Sequence, residues 1–347
     1  MPDRCQDRFI QLYVQDDLLI RRELADGLLA LQAHTSPKYL YDDLGSMLFE
    51  AICALPEYYP TRTEAAIFAT FGDAIAASAG TGATLIDLGA GNCAKAAQLF
   101  AQLQPARYVP VDISVDFLRD AVAGLRLRFP KIAMLGVGMD FSESLALPAA
   151  VDARQRLFFY PGSSIGNYTP PQALAFLQRI AIACAPDAAP DADADENVDT
   201  GGEGGLLIGV DLVKDPALLN AAYDDALGVT AAFNLNMLRH LNRVLDADFN
   251  VADWRHVAFF NQVESRIEMH LEARRPLTVH WPDGERRFAS GERIHTENSY
   301  KYTQQGFSSL LERAGFDLRH VWTDPRQWFM VCHARAVRSH VPVEAIG

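Results

Sequence analysis

The sequence predicts a Rossmann-like α/β fold, with a mostly parallel sheet, an antiparallel terminal strand and a second α+β lobe. Three observations predict it. Strand patterns alternate with helical patterns between residues 84 and 214. A glycine turn joins the first of these strands to a helix. The chain has 347 residues, more than the roughly 250–300 at which a single core stops growing.

The first half of the chain supplies most of the predicted sheet. Residues 1–35 show a broken helical period of leucines and are predicted to be a helical arm. A helix at 63–79 leads into the first strand, which begins at Thr84. Further strands are predicted at 107–114, 133–138, 155–160 and 205–213, and helices at 95–103, 117–129 and 172–184.

The second half is predicted to leave the sheet and then return to it. Residues 215–247 read as helical, 257–271 and 277–288 alternate like strands, and 294–302 is a turn or the start of a strand. A capped helix at 303–314 precedes two closing strands at 320–323 and 328–334. The predicted division is a core at 61–214 and 300–336, a substrate lobe at 1–60 and 215–299, and a tail at 337–347.

Composition narrows the class of protein. The formal net charge of −13 disfavours nucleic acid as a partner, and no basic stripe is present. No apolar run reaches the ~18–20 residues that a membrane span requires. The cysteines are odd in number, scattered and without a CxxC pair, which favours reduced thiols in the cytoplasm and no structural zinc; they are Cys5, Cys53, Cys93, Cys184 and Cys332. We expect a cytoplasmic monomer without a metal that acts on a small molecule.

An acidic, low-complexity stretch at 185–204 interrupts the core. It carries no large apolar anchor, so we predict a flexible surface insertion. Its acidic residues are wrongly spaced for a calcium-binding loop of the EF-hand type.

The glycine turn carries the first chemical signal. Gly89-x-Gly91-x-x-Ala94 fits the dinucleotide fingerprint, so a nicotinamide or flavin enzyme is one interpretation. Asp87 favours another, because an acid at the end of this strand repels phosphate and suits a cation. S-adenosylmethionine carries a sulfonium and an ammonium and no phosphate. The order acid-x-Gly-x-Gly resembles the first motif of class I methyltransferases.

Carboxylates at successive strand ends strengthen this interpretation. Asp87, Asp112 and Asp140 fall where ligands bind in open α/β sheets. Asp112 lies 23 positions after Gly89, which suits an acid that binds ribose hydroxyls. Asp140 can accept from an adenine amino group and Phe141 can cover the ring. For Asp140 alone, capping of a helix is an equal alternative.

Longer motifs, in order, make the chain resemble the histidine Nα-methyltransferases of ergothioneine biosynthesis, which form hercynine. The resemblance covers roughly residues 36–335, outside the acidic insertion. Its carriers are YLYDDLGS at 39–46, LPEYYPTR at 55–62, DLGAGNCAK at 87–95, PGSSIGNYTP at 161–170, GVDLVKD at 209–215, YDDALGVT at 223–230, FNLN at 233–236 and HTENSYKY at 295–302.

The resemblance implies two sets of site residues. The donor set that it implies is Tyr41, Gly89, Lys95, Asp112, Asp140 and Phe141, to which the glycine turn adds Asp87 and Gly91. The substrate set is Tyr58, Gly162, Ser164, Asn167, Tyr223, Met269, Glu297 and Ser299. Lys95 would reach the donor's carboxylate, Asn167 and Tyr223 would bind the carboxylate of histidine, and Gly162 and Ser164 would orient its α-amine.

Glu297 is the implied specificity element. A carboxylate is the strongest acceptor at neutral pH for an imidazole N–H. Ser299 would serve the other ring nitrogen, Tyr58 would close the pocket, and Met269 would form a wall that limits ring size. On the sequence alone, a surface acid near the start of a helix is the stronger interpretation of Glu297, and only the family motif around it favours the functional role.

The expected function is therefore trimethylation of the α-amine of L-histidine by S-adenosylmethionine, with S-adenosylhomocysteine as the by-product. Three alternatives stay open at this point. One is N-methylation of another amino acid such as tryptophan, against which Glu297 argues, because a buried carboxylate facing an indole is costly. The others are a nicotinamide-dependent oxidoreductase and a binding module without activity.

Overall fold

The centre of the fold is a nine-stranded sheet. The structure, a computed structural model, describes residues 9–12, 16–142, 144–184 and 204–337. The sheet contains β1 (Phe9–Gln11), β2 (Thr84–Leu88), β3 (Arg107–Asp112), β4 (Ala133–Met134), β5 (Gly136–Gly138), β6 (Arg156–Tyr160), β7 (Gly205–Asp211), β13 (Phe316–Thr323) and β14 (Phe329–Ala336).

The strand order is β1-β5-β3-β2-β6-β7-β14-β13, with β4 also paired to β3. The pairs from β1 through β7 are parallel, and β14 runs antiparallel to both of its neighbours. The chain leaves β2 toward β3 on one side and returns to β6 on the other, so a topological switch point lies at the carboxyl end of β2. The predicted mostly parallel sheet with an antiparallel terminal strand is confirmed.

The helices that cover the main sheet cross between its strands. They are α3 (Tyr59–Ala79), α4 (Ala94–Ala97), α5 (Phe100–Leu103), α6 (Val115–Arg128), α7 (Pro170–Cys184) and α10 (Gln304–Arg313). The helix predicted at 95–103 is in fact two short helices, which break at Gln98 and Leu99. Two apolar clusters pack on the two faces of the sheet, as expected when helices cover both.

The helical prediction for residues 1–35 is wrong at its beginning. Phe9–Gln11 forms β1 at the edge of the main sheet, paired with Gly136–Gly138, and α1 (Asp17–Leu29) begins only after Asp16, whose carboxylate caps it. Phe9 fits there because a Cβ on Gly136 would lie 2.6 Å from its ring. These three residues therefore extend the main sheet and not the substrate lobe to which 1–60 was assigned.

A second body of structure is built from both sides of the main-sheet sequence. Its elements are α1, α2 (Asp43–Cys53), α8 (Pro216–Tyr223), α9 (Val229–Leu245), β8 (Trp254–Asn261), β9 (Arg266–Ala273), β10 (Leu277–Trp281), β11 (Gly284–Phe288) and β12 (Arg293–Tyr300). Strands β12, β9 and β8 form an antiparallel sheet, and β10 and β11 form a hairpin. One apolar cluster joins residues 20–59 to residues 219–294. The exact lobe boundaries stay a prediction, which this cluster supports.

Two further predictions for this region needed correction. The helix predicted at 215–247 is divided, because Asp225 turns the chain and accepts from the N–H groups of Val229 and Thr230 at the start of α9. The segment 294–302 is largely a full strand, β12, paired along its length with β9. Short 3₁₀ turns occur at Pro37–Leu40, Ser164–Asn167 and Val251–Asp253.

Several predictions lie outside the described residues. They concern the acidic insertion at 185–204, apart from Gly204, the tail at 337–347, apart from Val337, and Cys5. Within the described ranges, no helix combines the length and the apolarity that crossing a bilayer requires.

Candidate active site

A cavity of about 1090 Å³ opens at the carboxyl ends of β2, β3 and β6. All eight residues predicted for the donor line it. A smaller cavity of about 50 Å³ adjoins it and is lined by all eight residues predicted for the substrate. Both cavities share Tyr41, Phe49, Tyr58, Gly162, Ser164, Asn167 and Glu297. The two predicted sets therefore meet at one surface, while the role of each residue stays a prediction.

The glycine turn is held open by Asp112. Gly89 and Gly91 have φ angles of 69° and 51°, which favour glycine. The N–H of Gly91 donates to Asp112 Oδ2 at 2.9 Å, and the N–H of Ser114 donates to Oδ1 at 2.9 Å. A Cβ on Gly91 would meet nothing within 4 Å, so the turn borders free space. Asp112 thus joins the turn to the end of β3 and keeps lone pairs for hydroxyl groups of a ligand.

Asp87 is suited to a cationic ligand. It is 1% exposed, and its Oδ2 accepts from the Tyr108 hydroxyl at 2.6 Å. Its Oδ1 is buried and has no hydrogen-bond partner among the described residues. Burial raises the pKa of Asp87 to about 7, against the lowering effect of the Tyr108 hydroxyl. A positive charge in the cavity would favour the ionised carboxylate.

Asp140 and Phe141 border the other side of the donor cavity. Asp140 Oδ1 accepts from the N–H of Ser142 at 3.0 Å, so it caps a turn and not a helix. The Phe141 ring contacts Tyr160 and Phe176 edge-on or tilted, and it lies 3.6 Å from the place of a Cβ on Gly89. The ring and the glycine turn therefore bound a slot that a flat group would fit.

Lys95 has a partner that the sequence did not suggest. Its ammonium lies 2.8 Å from Glu64 Oε2, and Glu64 is fully buried on α3. The other oxygen, Oε1, accepts from the N–H of Gly162 at 2.7 Å. Lys95 keeps donors free toward the cavity, where its role with a donor carboxylate stays a prediction. Glu64 connects the donor residue Lys95 to the substrate residue Gly162.

Glu297 lies at the junction of the two cavities. It is 8% exposed, and no hydrogen bond to its carboxylate occurs among the described residues. Burial raises the pKa of Glu297 to about 7, and the charge of Lys301 opposes the rise. It comes from β12, at an irregularity in the pairing with β9 between His295 and Glu297. A buried carboxylate without a donor is a site that a ligand N–H would satisfy.

Ser299 and Tyr223 bond to each other. The Tyr223 hydroxyl donates to Ser299 Oγ at 2.8 Å and accepts from Lys301 Nζ at 3.1 Å. In this arrangement the hydrogen of Tyr223 is already used, so a substrate carboxylate would have to draw it away from Ser299. The expectation that Tyr223 binds that carboxylate stays a prediction with this added requirement.

The sequence did not single out Phe49, Thr230 and Phe233 of the smaller cavity, nor Glu64, which holds Gly162 beside it. Tyr41, Phe49, Tyr58 and Phe233 form an aromatic wall, with ring centroids 5.5–6.1 Å apart in each contacting pair. Thr230 is 2% exposed and lines this cavity, and in the described structure its Oγ1 forms no hydrogen bond of good geometry, although it interacts with the Asp225 carboxylate. Thr230 and Phe233 stand in motifs that carry the resemblance, and these motifs were the available signal. Glu64 and Phe49 had none.

No set of three or more His, Cys, Asp or Glu side chains suited to a metal ion occurs in the described ranges. The parallel sheet with its antiparallel terminal strand, the acid-x-Gly-x-Gly turn and Asp112 define an S-adenosylmethionine-dependent methyltransferase of class I. Asp87, with an unpaired oxygen beside open glycines, fits that donor.

Comparison with known proteins identifies the family. Residues 20–336 match the family described as "Histidine-specific methyltransferase, SAM-dependent", and the chain belongs to it. It is 41% identical over 312 residues to the histidine N-alpha-methyltransferase of Mycolicibacterium smegmatis, covering 88% of this chain and 91% of the relative. It is 38% identical to the enzyme of that name from Mycobacterium tuberculosis, covering 88% and 92%.

A longer fungal relative also matches. The ergothioneine biosynthesis protein 1 of Neurospora crassa is 29% identical over 293 residues, covering 82% of this chain and 31% of that protein. The predicted family, the enzyme class and S-adenosylmethionine as donor are confirmed by these relationships. The nicotinamide-dependent alternative is not favoured.

Proposed function

We propose that this protein transfers methyl groups from S-adenosylmethionine to the α-amine of L-histidine, three times in succession, to form hercynine. The observation that carries the proposal is Glu297. Its buried carboxylate, without a hydrogen-bond donor, faces the smaller cavity where it meets the donor cavity. The names of the two mycobacterial relatives and the family description support the same substrate.

The smaller cavity favours an imidazole over an indole. Glu297 and Ser299 are polar groups on the same strand, two residues apart, so they lie on the same face of β12. An imidazole offers two ring nitrogens to such a pair, whereas an indole offers only one N–H. A site built to hydrogen-bond a substrate group rejects an analogue that lacks it, because its own buried groups are then left unpaired.

The chain's residues act mainly by positioning. Methyl transfer is an in-line displacement at carbon, and well-oriented reactants account for about 7–11 kcal/mol of a barrier. Asp112 fixes the glycine turn by accepting the N–H of Gly91. The loop at 162–167, which lines the smaller cavity, would hold the substrate amine next to the methyl donor. The amine attacks in its neutral form. Burial raises the pKa values of Tyr41 and Tyr58 well above the usual range, so both hydroxyls remain protonated and neither can accept the proton of the amine. We propose that the amine loses this proton to water.

The aromatic wall supports repeated methylation. Each transfer leaves an ammonium that is larger and less hydrated than the one before. The four aromatic residues Tyr41, Phe49, Tyr58 and Phe233 line the smaller cavity, and aromatic rings bind quaternary ammonium groups through cation–π interactions. We further propose that the protein works as a monomer in the cytoplasm, with no nucleic acid or membrane partner.

The direct test is a methyl-transfer assay of the purified protein against each of the twenty amino acids, with products read by mass. We expect L-histidine to gain three methyl groups and tryptophan to gain none. Titration calorimetry with L-histidine in the presence of S-adenosylhomocysteine tests binding separately. Absence of histidine binding there, or preference for another amino acid, would overturn the proposal.

A further inference from the structure

A buried lysine lies behind the smaller cavity. Lys301 follows β12, and its side chain is fully buried. Its ammonium donates to Ser299 Oγ at 2.7 Å and to the Tyr223 hydroxyl at 3.1 Å. It also lies 2.9 Å from Asp211 Oδ2. An ammonium has three donors and no acceptor, so these three partners use all of its hydrogens.

The position of this ammonium is fixed from several sides. Asp211 also pairs with Lys214 and accepts from the Tyr59 hydroxyl. The N–H of Asp211 donates to Ser163 Oγ at 2.9 Å, in the loop that carries Gly162 and Asn167. Separating a buried ion pair leaves an unpaired charge and strongly destabilises the protein. Asp211 therefore holds the Lys301 ammonium in place, where the end of β7, this loop and β12 meet.

The lysine decides which way the Ser299 hydroxyl points. Ser299 Oγ accepts from Lys301 and from the Tyr223 hydroxyl, and a hydroxyl oxygen has two acceptor positions. Both are filled while Tyr223 donates to Ser299 and leaves the substrate carboxylate to Asn167, so the remaining hydrogen of Ser299 can only donate to a ligand. No acceptor for it occurs in the described part of the chain, and Ser299 lines the smaller cavity. A ligand atom that meets this hydrogen must therefore be an acceptor.

This polarity distinguishes the two protonation states of an imidazole. A neutral ring has one N–H and one acceptor nitrogen, whereas an imidazolium has two N–H groups. Glu297 takes the N–H, and the Ser299 hydrogen meets the other nitrogen. An imidazolium would point its second N–H at the hydroxyl hydrogen of Ser299, so two donors would face each other without an acceptor between them. Besides Lys301, the titratable groups around this point are Glu297, Tyr223, Tyr41 and Tyr58, with Asp211 behind the lysine.

We propose that Lys301 is a positioning residue that makes Ser299 a hydrogen-bond donor, so that the pocket binds the neutral form of its imidazole substrate with the unprotonated nitrogen toward Ser299. This inference rests on the proposed function, because it takes histidine as the occupant of the pocket. Lys301 acts through Ser299 and does not touch the substrate.

The test is ¹⁵N NMR of ring-labelled L-histidine bound with S-adenosylhomocysteine. At pH 6 free histidine is mostly protonated, since its ring pKa is about 6.5. We expect the wild-type complex to keep one pyridine-like and one pyrrole-like nitrogen at this pH. In Lys301→Met the bound ring should titrate, and the KM for histidine should rise roughly 10-fold with kcat within about 3-fold. Two protonated nitrogens in the wild-type complex would overturn the inference.

Matched variants separate this role from a general loss of structure. Lys214→Met removes the other lysine of Asp211 without touching Ser299 or Tyr223, and it should keep the wild-type ¹⁵N pattern. Ser299→Ala should reproduce the effect of Lys301→Met, and the double variant should be no worse than either single one. Additive losses in the double variant would contradict action through Ser299.

The outcomes also separate this inference from the proposed function. If histidine fails to bind in the presence of S-adenosylhomocysteine, the proposed function fails before any NMR is measured. If it binds and is methylated but carries two ring protons, only the role of Lys301 fails. Should Lys301→Met not fold, Ser299→Ala alone carries the test, because it removes the same donor; an unchanged pattern there overturns the inference.

Discussion

The larger cavity, which is predicted to hold the methyl donor, is called the donor half here, and the smaller cavity, predicted to hold the methyl acceptor, is the acceptor half. Most polar groups of the donor half already have hydrogen-bond partners, whereas two important groups of the acceptor half do not. Asp112 accepts from Gly91 and Ser114, and Lys95 is paired with Glu64. Across the cavity, neither the Glu297 carboxylate nor the Thr230 hydroxyl forms a hydrogen bond of good geometry in the described structure, although the Thr230 hydroxyl interacts with Asp225. A ligand with polar hydrogens gains most where groups are unsatisfied.

This difference fits a division of labour. Asp112 fixes the glycine turn in a shape that suits one methyl donor. The buried carboxylate of Glu297 needs an N–H or O–H group from the ligand, which only some methyl acceptors provide. Asp87 is the exception on the donor side, since its Oδ1 is unpaired. That exception is consistent with a donor that brings a positive charge. Selectivity for the acceptor should therefore be lost by single substitutions more readily than the donor site is lost.

The largest expected effect is at Glu297. Glu297→Ala removes the acceptor for the ring N–H, and kcat/KM for L-histidine should fall roughly 10²–10³-fold. Binding of S-adenosylhomocysteine, measured by calorimetry, should stay within about 2-fold of wild type. Glu264→Ala, at an exposed acid in the turn between β8 and β9, is the matched control. A loss below about 10-fold would remove Glu297 from ring recognition.

The unpaired carboxylate should also destabilise the free protein. The raised pKa of Glu297, about 7, means that its contribution to stability is present below the unfolded value of 4.5 and is lost as pH rises through 7. Glu297→Gln should therefore be more stable than wild type at pH 8.5, by roughly 1–3 kcal/mol in the free energy of unfolding. The gap should close at pH 5. Thermal or urea unfolding at both pH values measures it, and a gap independent of pH contradicts the assignment.

On the donor side, Asp112→Asn should produce a separate defect. The amide oxygen can accept from only one of the N–H groups of Gly91 and Ser114, and the charged acceptor for ribose hydroxyls is lost. We expect affinity for S-adenosylhomocysteine to fall about 30-fold, while the KM for histidine at saturating donor stays within about 3-fold. An equal loss of affinity for S-adenosylhomocysteine and for histidine would show that the two halves are not independent.

Glu64 is the place where that independence should end. It pairs with Lys95 of the donor half and accepts from Gly162 of the acceptor half. Glu64→Gln should weaken both donor and histidine binding, each by about 10-fold. Lys95→Met is the comparison, because it should weaken donor binding and leave the KM for histidine within about 3-fold. Calorimetry with each ligand separates the two, and a defect in Glu64→Gln confined to one ligand would contradict the bridging role.

The same contrast explains what could be predicted from the sequence. The donor half comes mainly from one continuous stretch between residues 87 and 141, where strand ends and a glycine turn follow local rules. Asp112 was predicted from its spacing after Gly89, and Phe141 from its place beside Asp140 at a strand end. The residues of the acceptor half come from distant segments that only the fold brings together, so their spacing in the sequence could not predict that they meet. The family motifs predicted Tyr58, Asn167 and Glu297 instead.

Other features could not be predicted for physical reasons. Glu64 lies in a helix of ordinary pattern, and its buried carboxylate is explained only by Lys95 and Gly162, which are distant in sequence. β1 is three residues long, and its pairing depends on the missing side chain of Gly136. The division between α8 and α9 depends on capping by Asp225, which the apolar periodicity of the segment concealed.

The smallest expected effect is at Thr230, a residue of the smaller cavity that lies in a family motif but was not singled out from the sequence. Thr230 is held at the start of α9 by Asp225, which accepts its N–H at 2.7 Å. Its side-chain hydroxyl lines the smaller cavity and forms no hydrogen bond of good geometry, although it interacts with the Asp225 carboxylate. Thr230→Val keeps the shape and removes only this hydroxyl, so histidine should bind about 5-fold more weakly while S-adenosylhomocysteine binds as before. Calorimetry with L-histidine and with L-histidinol, which lacks the carboxylate, then locates the contact. A loss seen only with histidine assigns Thr230 to the carboxylate, and an equal loss with both assigns it to the ring or the amine. Unchanged histidine affinity would mean that this hydroxyl is not used by the substrate, and that Glu297 and Ser299 alone supply the polar recognition.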